Sequence, residues 1–148
     1  MDTKQFTITI NAPKEKVWNA LWNDANYRKW TSVFNEGSYM EAAFLTQGAD
    51  VRFLNPEGNG MYSIIDTIEP NRIMIFRHLG VVKDQINQPP DEESKKWAGG
   101  QEKYFLDESN GITTLTAEVD VYKDFETYFN DTFPKALQAV KEIAEADA

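Results

Sequence analysis

The chain has one histidine, His78, set in the apolar stretch RIMIFRHLG directly after Arg77, and it has no cysteine. Imidazole changes charge near neutrality, so His78 offers either a general base or a polar anchor. A base also needs a nucleophile or an oriented partner, and no motif in the sequence supplies one. The sequence therefore favours an edge or surface histidine. Carboxylates are plentiful, with Asp66, Glu69, Glu102, Glu118 and Asp120 in or beside strand-like stretches. Glu118 and Asp120 are two apart on one strand face, and such a pair does acid–base work only where burial separates its pKa values. These two lie opposite the apolar set of their strand, which predicts a solvated outer face. A lone histidine without cysteine leaves only hard oxygen ligands, and no EF-hand-like spacing appears. No metal, no cofactor and no catalytic residue is expected.

The 24 acidic and 15 basic residues leave a formal charge of −9. That sign repels phosphate backbones and anionic lipid, so neither nucleic acid nor membrane is an expected partner. The start, MDTKQFTITI, has no basic segment followed by an apolar run, and no window is long enough to span a bilayer. The expectation is a soluble, cytoplasmic chain folded as a single domain over residues 1–148, a length that can bury a full core without disulfides.

These side chains need elements to position them. Phe6, Ile8 and Ile10 alternate with Thr7 and Thr9, which predicts a first strand. Asn11 and Pro13 then open a helix running to about Asn23, with Asn11 as its cap. Val17, Ala20 and Leu21 form its inner stripe, and Trp18 and Trp22 form a second ridge. Asp24 caps a second short helix reaching about Trp30. YMEAAF, ADVRFL, MYSIIDTI and RIMIFRHLG read as strands, with PEGNG and Pro70-Asn71 as turns. Ile73 and Ile75 oppose Met74 and Phe76, so that strand is apolar on both sides, and two copies of the chain could pair through its outer face. Val81 to Ala98 shows no usable period and reads as a lid, a binding loop or a disordered connection, with Trp97 as either a lid's ring or the loop's anchor. EKYFLDE and ITTLTAEVDV follow, joined by Ser109-Asn110-Gly111.

From Phe125 to Ala144 apolar residues recur at helical spacing, aromatic in the first half and small and aliphatic in the second. Pro134 interrupts the stripe. It predicts either a kink or a fresh helix start at Asp131 or Thr132, and a bend that opens a cavity mouth near Phe125 to Phe133. Strand, two helices, six to seven strands and a long helix make an α+β fold, an antiparallel sheet gripping its closing helix.

At this point the residues resemble a known superfamily. NAPKEKVWNALWNDANYRKW looks like the N-terminal signature of the SRPBCC superfamily, with its START-like or birch-pollen-allergen-like helix-grip fold. YFNDTFPKALQAVKEIAE is similar to the ending of a bacterial branch related to activators of the heat-shock-protein-90 ATPase. IEPNRIMIFRHLG and GGQEKYFL look like that branch's intervening strands. The resemblance implies a cavity between the long helix and the concave sheet face. Its expected lining is Trp30, Phe44, Phe53, Phe76, His78, Trp97, Tyr104, Phe125, Phe129 and Phe133, and the expected ligand is an apolar small molecule. A chaperone-regulating interaction module is the rival implied by the branch. A cyclase- or hydratase-type enzyme using His78 or a buried carboxylate is the third.

Overall fold

In the computed structural model, which describes residues 1–146, the alternating N-terminal stretch forms β1 (Asp2–Ile10) with Ile10 fully buried. Helices α1 (Lys14–Trp22) and α2 (Asp24–Trp30) follow. Both helix caps differ from those expected. Pro13 occupies the cap position of α1 with no side-chain bond, and Asn11 instead uses its backbone amide to donate to Glu145 Oε2 at 2.7 Å. Proline serves here because the amide it lacks has no helical acceptor. At α2 the cap is Asn23, whose extended backbone turns its side chain toward the Asn26 amide, while Asp24 lies inside the helix and pairs with Arg28 at 3.0 Å.

The sheet is built from β1, β2 (Tyr39–Glu41), β3 (Asp50–Leu54), β4 (Gly60–Glu69), β5 (Ile73–Lys83), β6 (Ile86–Asn87), β7 (Gln101–Ser109) and β8 (Ile112–Val121). All pairs are antiparallel, in the order β1-β8-β7-β5-β4-β3-β2, with β6 on β5. This is the expected α+β helix-grip architecture with one strand more than foreseen. The β3–β4 turn forms where PEGNG predicted it, with Asn55 Oδ1 accepting from the Glu57 and Asn59 amides. Gly60 cannot be replaced there, because a Cβ would lie 1.7 Å from the Phe53 carbonyl oxygen.

The supposed loop from Val81 is largely structured. β5 continues to Lys83, turns through Asp84 and Gln85 into β6, and a short helix α3 (Glu92–Lys95) follows behind a capping box between Asp91 and Ser94. The β5–β6 turn is held from across the sheet, by Arg52 donating to the Gln85 carbonyl and by the Gln85 amide donating to Gly58. Local periodicity carries no trace of bonds like these.

The last helix, α4 (Glu126–Glu145), runs unbroken through Pro134, so the second start at Asp131 or Thr132 does not occur. Pro134 and Asn130 both lie on the exposed side of α4, where solvent can reach the carbonyl left without a donor. The aliphatic half, Ala136, Leu137, Val140 and Ala144, is buried against the core, whereas Phe125 and Tyr128 are each close to half exposed. On β5, Met74 and Phe76 are fully buried inward, and Ile73 and Ile75 are half-buried on the outer face, where Ile73 pairs with Phe105 of β7. Among the described residues, no helix is long and apolar enough to cross a membrane.

Candidate functional site

Beneath the first half of α4 lies a cavity of about 630 Å³. Phe125, Phe129 and Phe133 wall it from the helix, Tyr27 and Trp30 from α2, and Phe53 from β3. Its floor is laid by His78 of β5 with Glu102 and Tyr104 of β7, and Trp97 stands at its side. A second hollow of about 730 Å³ lies between α1, α2 and the end of α4. No aromatic ring lines it and it ends at Ala146, the last described residue, so the site chemistry belongs to the first cavity.

Eight of the ten lining residues expected from the sequence meet at this one cavity, and Phe44 and Phe76 do not. Strand β2 stops at Glu41, which leaves Phe44 in the following loop, 73% exposed. Phe76 points inward but is fully buried, its ring edge-on to Trp22 at 5.4 Å and to Phe53 at 5.0 Å, so it is core beneath the floor.

His78 is not the edge residue expected; its side chain is 12% exposed and faces the cavity. The cause is the pairing of β5. Ser63 of β4 sits opposite His78 in register, while β7 pairs Glu102 with Phe76 one inward step away. Ser63 Oγ lies 2.7 Å from Nδ1, and Nε2 lies 3.2 Å from Glu102 Oε1. The other carboxylate oxygen of Glu102 accepts from the Tyr104 hydroxyl.

Proton positions follow from counting donors. Ser63 is 1% exposed, so its hydroxyl proton must find an acceptor, and Nδ1 is within reach. The imidazole proton then sits on Nε2 and is donated to Glu102.

A serine, a histidine and a carboxylate in a row suggest a hydrolytic triad, but the order in space is wrong for one. Ser63 lies behind His78 and does not line the cavity, so its oxygen cannot attack a molecule held there. Its role is to orient the ring. The sequence reading missed Ser63, whose signal was a small polar residue on the same inward parity as Ile65.

Glu102 also governs its neighbours. Burial, and then the charge of Glu102, push the Tyr104 and Tyr27 hydroxyls well above the ordinary phenol value, so both stay protonated. Glu118 and Asp120 lie on the outer parity of β8. Asp120 accepts there from Thr3 Oγ1 at 2.7 Å and from the Gln101 amide at 2.9 Å. Among the described residues no three histidine, aspartate or glutamate side chains converge to hold a metal.

Trp97 is carried by an arm that is tied down. The Asp91 carboxylate accepts from the Ser94 amide at 2.7 Å and sits below its ordinary pKa chiefly because of that bond. The Gly99 amide donates to the His78 carbonyl, and the His78 amide donates to Gly100. This is the anchor alternative for Trp97.

No family model and no curated protein matches this chain. Solved structures do match over nearly its whole length. The solution structure of the Aha1 dimer from Colwellia psychrerythraea is similar at 20% identity and a TM-score of 0.72, covering 98% of this chain and 97% of that one. Protein MLL2253 from Mesorhizobium loti is similar at 14% identity and a TM-score of 0.75, covering 99% of both chains. DynU16, from the dynemicin biosynthetic locus, is similar at 18% identity and a TM-score of 0.71, with 98% of this chain covering 48% of that one. At these identities the likeness establishes the fold: this chain has the helix-grip architecture shared by those proteins.

Proposed function

We propose that this chain binds an apolar small molecule in the cavity under α4 and does not transform it. The observation that carries this reading is a largely aromatic-walled hollow of about 630 Å³ with a hydrogen-bonded polar set on its floor. Such a site takes its affinity from apolar area, about 2.5 kcal/mol per 100 Å² of surface removed from water, and its orientation from the few polar groups. The non-catalytic part rests on Ser63, the one hydroxyl poised on His78, being shut away from the cavity.

Native mass spectrometry of the full chain with decanol, paired with displacement of Nile red, tests the reading. One equivalent should bind, and Phe129→Ala should weaken binding about ten-fold, the loss that follows from removing roughly 55 Å² of apolar contact at about 25 cal/mol per Å². Absence of uptake for alkyl chains of every length from six to sixteen carbons would remove it.

A second reading is favoured by the full-length likeness to an Aha1 dimer. Two copies of this chain would pair through the outer sheet face around Ile73, Ile75 and Phe105, and the pair would regulate a chaperone. Light scattering showing a strict monomer at high concentration, together with an unstimulated chaperone ATPase, would dismiss it.

A further inference from the structure

Twelve of the 27 residues lining the cavity are phenylalanine, tyrosine or tryptophan, and none is lysine or arginine. The nearest cations to these rings, Arg28 over Tyr39 and Lys96 over Tyr122, are each paired with a carboxylate, Asp24 and Glu93. The Glu102 carboxylate therefore lies on the floor with no lysine or arginine among the lining residues to balance it. His78 and Tyr104 give it two hydrogen bonds. A carboxylate accepts about four, so lone pairs remain on the cavity side. The side chain of Glu102 is 23% exposed.

A second observation points the same way. Tyr27 is 7% exposed and lines the cavity, and its hydroxyl, open to that space, makes no hydrogen bond among the described residues. Its pKa is raised by burial and next by the charge of Glu102, so the two groups share one neighbourhood. A hydroxyl open to the cavity and without a protein partner, beside a carboxylate with spare acceptors, is the complement of a group with several N–H donors and a positive charge. The surrounding rings add the negative faces that attract such a cation.

We infer that the apolar ligand carries a protonated amine, seated on Glu102 and the Tyr27 hydroxyl with its body among Phe53, Phe129 and Phe133. This rests on the reading of the cavity as a ligand site. A carboxylate ligand would meet Glu102 with no cation between them, in surroundings where like charges repel strongly.

Decylamine, decanol and decanoate share a tail and differ in head group, so their binding to the full chain at pH 7.5, by calorimetry and by displacement of Nile red, decides the matter. Decylamine should bind about ten-fold or more tighter than decanol, with decanoate weakest. Glu102→Gln should bring amine and alcohol within about three-fold of each other, with the amine losing the more. Tyr27→Phe should cost the amine more than the alcohol. Decanol binding as tightly as decylamine, decanoate binding best, or an amine preference that survives Glu102→Gln would each overturn this inference and leave the apolar-ligand reading standing. If none of the three binds, both fall. The unmodified protein decides by head group alone should Glu102→Gln not fold, as judged by its melting curve.

Discussion

Tyr27 and Tyr104 hold their protons because burial and the charge of Glu102 both disfavour the phenolate. A phenol in the unfolded chain titrates near pH 10, and the folded values lie well above that. Above about pH 10 the native state therefore keeps protons that the unfolded chain has lost. The stability this contributes is complete below that pH and is lost as pH rises through the window. Urea midpoints at about pH 8, 10 and 11 should fall across the series, and the double variant Tyr27→Phe/Tyr104→Phe should fall less. Equal slopes would mean that neither hydroxyl is buried beside a charge. The same pair shows what could be read from residues alone. Tyr104 was recognisable as inward by strand parity. The floor it joins was not, because His78 meets Glu102 from 24 residues away and Ser63 from 15. A one-dimensional pattern places a side chain on a face of its strand but does not name the strand that lies alongside.

Helix α4 combines a structural clamp with a cavity wall, and Pro134 stands between them without dividing it. A proline in a helix interior costs up to about 3 kcal/mol relative to alanine, less where solvent reaches the freed carbonyl. Pro134→Ala should therefore stabilise the chain by about 1–3 kcal/mol in urea denaturation, with the ring packing of Phe129 and Phe133 unchanged. No gain would mean that the backbone around Asn130 is shaped to need the proline. The elements were legible wherever period and turn chemistry agreed: β1, β8, the PEGNG hairpin and the stripe of α4 all form close to where the sequence places them. Residues 81–98 were illegible for a different reason. Their order comes from Arg52, Gly58 and the backbone of His78, partners that no local window contains.

At the scale of the molecule, a formal charge of −9 makes the compact state repel itself, and added salt screens this beyond about 10 Å at 0.1 M. Raising sodium chloride from about 10 to 200 mM should lift the melting temperature by about 2–4 °C, the shift that about 1 kcal/mol produces in a chain of this size. A fall would show that surface ion pairs such as Lys4 with Glu126 and Lys141 with Glu145 outweigh the net repulsion. The architecture could be read from element order and resemblance together, because core and turn residues dominate both. The head group inferred for a ligand could not, because it depends on one carboxylate among many. The two backbone bonds between His78 and the Gly99–Gly100 pair have a consequence for traffic through the cavity. Swinging the Trp97 arm aside would unzip the strand that carries the floor, so that flank is a hinge welded shut. The opposite flank is fastened by side chains alone: Tyr128 donating to the Phe34 carbonyl at 2.9 Å, Lys4 paired with Glu126, and the rings of Phe34, Phe129 and Phe133. On the reading proposed for the cavity, a ligand would enter and leave on that side, and the first turn of α4 would be its doorway.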